Sequence, residues 1–211
     1  MDDILKIRIR FAKLGDIRFI SHHDLMKVFE RAIRRANIPI AMSKGFNPHP
    51  KLSLPLALSV GIVSKDEVLE VELLQSVPSG SLVENLGRQL PKEIQILSVE
   101  TIPLSSKSPV RDVTYEIIFK ETAFLNTLKI SEFLQQSAIV VNRTKDGYQK
   151  PFDIRPSIQE ITVKPNGLIL SIKMMPEGMA RPEEVLHALC GNGKKELFEI
   201  IRTKVNLFSS A

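Results

Sequence analysis

A Ser-His-His-Asp run at 21–24, a Gly-Phe-Asn-Pro-His-Pro-Lys run at 45–51 and the four cations between them (Lys27, Arg31, Arg34, Arg35) gather the residues best able to grip an anion or move a proton. Ser21 stands where a helix N-cap belongs, and Asp24 three positions on makes a short-acid version of the capping box. The unsatisfied N–H groups of a helix start bind anions readily. Ser21, His22 and His23, with Lys13 and Arg18 just upstream, could therefore hold one phosphate. The same residues also read as a plain cap, with the histidines packed or solvated. In a third arrangement His22, Asp24 and His49 lie close together. They could then ligate a metal, or the histidines could act as acid and base in RNA cleavage. The spacing is diagnostic of neither, since there is no His-x-x-x-His and only one cysteine. We therefore expect no resident metal and no cofactor.

In the second cluster Gly45 permits a close approach or a positive φ, and Pro48 and Pro50 stiffen the chain beyond it. Phe46 on such a loop is a stacking platform for a base, with Lys44, Asn47, His49 and Lys51 as polar neighbours. A Phe46 turned into the core as a loop anchor is the alternative. The loop lacks the G-x-x-x-x-G-K-[ST] spacing of a nucleoside-triphosphate cradle. In the third cluster Lys27, Arg31 and Arg34 share a helix face with Arg35 beside them, and Glu30 among them could form local ion pairs.

The charge is unevenly placed. Residues 1–53 carry 11 Lys/Arg against 5 Asp/Glu, a balance of +6, while the remaining residues carry 18 against 19, a balance of −1. Such asymmetry points to an anionic partner, with an ordinary solvated basic face as the alternative. No run approaches the roughly 18 apolar residues of a membrane span. The start, with two acids and alternating charge, resembles neither a signal nor a transit peptide. The single cysteine, Cys190, fits a reducing cytosol and a buried core thiol, so a cytoplasmic location off the membrane is expected.

The elements that must position these residues can be read from periodicity. Ile4–Phe11 alternates apolar with basic, as a half-buried strand does. From Ser21, Leu25, Val28, Phe29, Ala32, Ile33 and Ala36 form a helical stripe, which Pro39 stops. Strands are predicted at Leu52–Val60 and Val68–Leu74, a helix at Ser81–Leu90 and a strand at Ile94–Ile102. The order β-α-β-β-α-β is that of a ferredoxin-like unit. Past the polar Ser105–Arg111 the order repeats. It runs through strand Val113–Phe119, a helix near Ala123–Gln136, strands at Ile139–Asn142, Ile158–Val163 and Leu168–Met174, helix Pro182–Leu189 and strand Phe198–Leu207. Arg143–Pro156 is a polar extra. The expected fold is α+β: two tandem ferredoxin-like (βαββαβ) units packed together, at 1–104 and 112–211, joined by a linker at 105–111. The basic functional surface belongs to the first.

The stretches Phe11-Ala-Lys-Leu-Gly15, Arg18-Phe-Ile-Ser-His-His-Asp24, Glu30-Arg-Ala-Ile-Arg-Arg-Ala36 and Ser43-Lys-Gly-Phe-Asn-Pro-His-Pro-Lys51, with Pro39 and Gly61, occur in order. Together they resemble the radical-SAM-linked protein family. That family is a domain of unknown function found beside, or fused to, cobalamin-type radical SAM proteins. The likeness thins after about residue 100, where Asp153-Ile-Arg-Pro156 and Arg202 remain. What the resemblance implies is a radical SAM protein as partner. Asp153 and Arg155 read as a salt link between the units, or as ligand contacts. The function expected is a non-catalytic RNA-binding accessory module working with a radical SAM enzyme in RNA modification or maturation. The alternatives are a metal-independent RNA-cleaving enzyme of ferredoxin-like fold and a protein–protein adaptor.

Overall fold

The computed structural model describes residues 4–106, 109–121, 129–145, 147–191 and 198–208. It is a mixed α+β structure of antiparallel sheets and helices, divided into one unit of residues 1–110 and 207–211 and a second of residues 111–206. Among the described residues no helix is long and apolar enough to cross a membrane.

The first unit runs β1 (Leu5–Lys13), α1 (His22–Arg35), β2 (Leu52–Ser53), β3 (Val63–Leu73), α2 (Ser79–Gly87) and β4 (Ile94–Ile102), with sheet order β4-β1-β3-β2. Period-2 alternation aims Ile7, Ile9 and Phe11 of β1 and Leu69, Val71 and Leu73 of β3 at one face. Leu25, Phe29, Ala32 and Ile33 of α1 and Leu82 and Leu86 of α2 complete that core. Phe11 meets Phe29 edge-on at its centre, ring centroids 4.8 Å apart, a favoured aromatic geometry. The other face of the sheet carries charge in register, with Lys6 bridging Glu70 at 2.6 Å, Arg8 Glu100 at 2.8 Å and Arg10 Asp66 at 2.7 Å.

The strand expected over Leu52–Val60 shrinks to Leu52–Ser53. Pro55 lacks the N–H that a continuing ladder would need.

The second unit contains β5 (Val110–Phe119), α3 (Ile130–Gln135), β6 (Val140–Lys145), β7 (Tyr148–Asp153), β8 (Ile158–Lys164), β9 (Gly167–Lys173), α4 (Pro182–Cys190) and β10 (Phe198–Leu207). Its main sheet has the order β10-β5-β9-β8. Residues 123–128 of the helix predicted near Ala123–Gln136 lie outside the described residues, as do residues 107–108 of the expected linker. The polar extra at Arg143–Pro156 is largely a hairpin, β6 against β7, paired from Val140↔Asp153 to Lys145↔Tyr148. Its first strand takes in most of the strand expected at Ile139–Asn142, whereas Pro151 and polar residues on both faces hid the second from period-2 reading. Cys190 is half-buried, not the fully buried thiol expected.

Arg143 ties this hairpin to α4. It donates to both carboxylate oxygens of Glu184 at 2.7 and 2.6 Å and to the Met179 carbonyl, with its guanidinium 3.7 Å from the Phe152 ring centroid. Burial pushes the Glu184 carboxyl up, but the Arg143 hydrogen bonds and the Arg181 N–H outweigh it and hold the group below its ordinary 4.5. A carboxylate depressed by folding stabilises fully above its unfolded value, and the gain is lost as pH falls through the folded one. Glu184→Gln should thus cost about 1–2 kcal/mol at neutral pH, a solvent-screened share of a charged pair. It should also flatten the decline of Tm between about pH 5 and pH 3, as thermal melts against pH will show.

Candidate nucleic-acid interface

The chain enters α1 through a 3-10 turn at Gly15–Phe19. Lys13, expected to reach a phosphate, instead is buried, with its Nζ 3.4 Å from the Arg18 carbonyl and 3.2 Å from that of Ile20. A buried ammonium needs such partners, so Lys13 fixes the lead-in to the helix. Arg18 is half-buried and lies 4.9 Å from the centroid of the exposed Phe19 ring. Ser21 is the N-cap. Its Oγ accepts from the Asp24 N–H at 3.1 Å and donates to Asp24 Oδ2 at 2.7 Å. That hydroxyl is the main reason the Asp24 carboxyl sits below its ordinary range, with the charges of Lys27 and His23 adding to it. The one Ser21 proton is thereby committed to Asp24, which corrects its assignment as a phosphate donor. His22 is half-buried and His23 exposed.

At its other end α1 stops before Pro39. Asn37 takes φ 53°, its N–H bonds the Arg34 carbonyl, and the Ile38 N–H reaches back to Ile33. This is a Schellman ending with its apolar contact, Ile38 against Ile33. Arg35 does not face a ligand: its Nε and Nη2 donate to the side chain and carbonyl of Gln89 at 3.2 and 2.7 Å. Lys51 is likewise held, 2.6 Å from Glu72.

Lys27, Arg31 and Arg34 remain, at i, i+4 and i+7 on one exposed face. With Glu30 they form one wall of an open groove of about 860 Å³, whose floor is Ile38, Pro39, Ile40, Met42 and Pro50 beside Asn37. Among the described residues no protein group meets the guanidinium of Arg31 or Arg34. Lys27 has only Asp24, at 4.0 Å between exposed groups. Glu30 forms no ion pair within 4.0 Å either, contrary to the local pairing expected.

The floor continues into a two-stranded ribbon. Met42 bridges Pro50, the Ser43 N–H donates to the His49 carbonyl, and the His49 N–H to Ser43 Oγ. Lys44, Gly45, Phe46, Asn47 and Pro48 form its exposed tip, with Gly45 at φ 130°. Phe46 is fully exposed, so it is no core anchor.

No group of three His, Cys, Asp or Glu side chains among the described residues could hold a metal ion, so His22, Asp24 and His49 do not converge into one. Asp153 and Arg155 are neither a salt link between units nor an open ligand pair. Asp153 Oδ1 accepts from the N–H groups of Ile139 and Arg155, and Arg155 donates to the carbonyls of Leu134 and Ile158. They bracket backbone within the second unit.

A family model described as an uncharacterized protein conserved in bacteria (DUF2344) matches residues 6–186. The chain belongs to this family. Among solved structures the DUF2344 chain is similar to an unknown protein from Galdieria sulphuraria, with 13% identity, 98% of this chain and 100% of that one covered, and a TM-score of 0.31. It is also similar to the small subunit of acetolactate synthase from Thermotoga maritima, with 11% identity, 99% and 98% covered, and a TM-score of 0.25. No curated protein matches it.

The floor residues escaped sequence reading because Ile38, Pro39 and Ile40 look like an ordinary helix-to-strand connection. Only their place beside the Lys27–Arg34 face makes them part of a site. Phe46 offers a direct check of this geometry. Phe46→Ala should change stability by no more than about 0.5 kcal/mol, as at other exposed positions. Phe29→Ala, at the core centre, should cost about 3–5 kcal/mol. Parallel denaturant titrations of the two variants measure both.

Proposed function

We propose that this chain is a non-catalytic RNA-binding accessory module, cytoplasmic, that works with a radical SAM enzyme in RNA modification or maturation. One observation carries the RNA part. Lys27, Arg31 and Arg34 stand in a row, without strong protein partners, over an apolar floor that leads to a fully exposed Phe46. Cations so placed suit phosphates, and an exposed aromatic suits a stacked base. The enzyme partner rests on the resemblance of the Phe11–Lys51 stretch. The same sheet order in each unit, fourth-first-third-second by strand sequence, favours the tandem ferredoxin-like reading.

The test is binding of the full chain to single-stranded RNA across a salt series. The triple variant Lys27→Ala/Arg31→Ala/Arg34→Ala should bind all sequences more weakly. It should also reduce the slope of log affinity against log salt by about 2, given about 0.7 per phosphate contact on a single strand. Unchanged affinity and slope in a folded triple variant would end this reading and favour an acidic protein partner on the same face. Crosslinked capture from a native lysate, reading RNA and protein together, tests the radical SAM partner.

A further inference from the structure

We propose that Glu30 makes the groove a reader of one unstacked base. It would take an amine-bearing base edge from a single-stranded RNA whose phosphates lie along Lys27, Arg31 and Arg34. This rests on the RNA reading above and adds the ligand's class and a specificity-determining residue.

Glu30 is half-buried in the groove wall and has no ion pair within 4.0 Å among the described residues. An ionised carboxylate only accepts hydrogen bonds, and so does a phosphate. A groove that held phosphates alone would bind them better without Glu30. Its carboxylate is matched only by a ligand group that donates. In RNA such donors, close to phosphates, are the amines of guanine, cytosine and adenine, the imino N–H groups of guanine and uracil, and the 2′-hydroxyl. Guanine suits it best, because its N1–H and N2 amine lie side by side and can meet both carboxylate oxygens. Uracil offers only its N3–H, set between two carbonyl oxygens that a carboxylate repels, and no amine.

The strand must be unpaired. In an A-form duplex these edges are engaged in pairing, and the deep major groove is closed to side chains. A splayed base could lay its face on Pro39 and the half-exposed Met42 while its edge reaches Glu30. Lys27 to Arg34 spans seven residues, roughly 10 Å of helix, which suits a short run of nucleotides.

The experiment uses the full chain and fluorescence anisotropy with four labelled RNA nine-mers. One is all uridine, and the others carry a central guanosine, cytidine or adenosine. At least one amine-bearing RNA, guanosine foremost, should bind about tenfold more tightly than all-uridine RNA, the discrimination of one good bidentate contact. Every nine-mer carries 2′-hydroxyls, so the preference isolates the base. Glu30→Ala should bring the four RNAs to parity while binding all-uridine RNA at least as well as the parent chain. Glu30→Gln keeps the side-chain shape and one acceptor oxygen, and should retain part of the preference. Equal affinity of the parent chain for all four RNAs, or a preference that survives Glu30→Ala, overturns the inference. So does a duplex binding as tightly as its single strand. Absence of binding to any RNA overturns the RNA reading itself, and the inference with it.

Discussion

The edge-on contact of Phe11 with Phe29 decides which way α1 faces, and the candidate site depends on that orientation. An α-helix turns about 100° per residue, so fixing one stripe fixes all others. Once Leu25, Phe29, Ala32 and Ile33 are pressed on β1 and β3, Lys27, Arg31 and Arg34 have nowhere to go but solvent. The same packing sets the place of the floor. Ile38 must return to the core beside Ile33, and the left-handed Asn37 between them turns the chain back along the exposed face. The groove is thus a by-product of how an amphipathic helix ends.

Charge asymmetry drew attention to the first quarter of the chain but overstated the charge left unpaired there. Of the eleven cations in residues 1–53, Lys6, Arg8, Arg10 and Lys51 pair with acids contributed by residues 66–100. Lys13 holds carbonyls in the interior, Arg35 clamps Gln89, and the half-buried Arg18 lies against the Phe19 ring. A count along the sequence cannot see cross-strand register, which sets Arg8 directly between Glu70 and Glu100. What survives is a short row on α1 and Lys44 on the ribbon, an amount that favours a local ligand over a broad polyanion-binding face.

Periodic elements were legible where one face alone is buried. The helix from Ser21 and the strand Ile94–Ile102 match patterning that the packing leaves intact. Where proline or mixed polarity intervenes the pattern fails, as beyond Leu52–Ser53 and in β7. Site residues divide in the same way. Loop position and composition expose Phe46, but no local signal separates Arg34, which faces the groove, from Arg35, which holds Gln89. One residue of helix, about 100° of rotation, separates a groove-lining side chain from a structural clamp.

The unpaired state of Glu30 carries information because pairing was sterically open to it. Arg34 lies four residues on, in the favoured order of acid before base, and Lys27 three residues back. Such surface pairs contribute only a few tenths of a kcal/mol, so the fold loses little by leaving them unmade. A ligand contact would be stronger, because a hydrogen bond to a charged group contributes about 1.5–3 kcal/mol. On the RNA reading proposed above, the cations of α1 and the carboxylate among them would exchange weak mutual attraction for separate ligand partners. Phosphates would go to one set and a donor-bearing base to the other. A groove of one sign could bind RNA, but the mixed signs of this one would, on the reading proposed above, give it a means to choose.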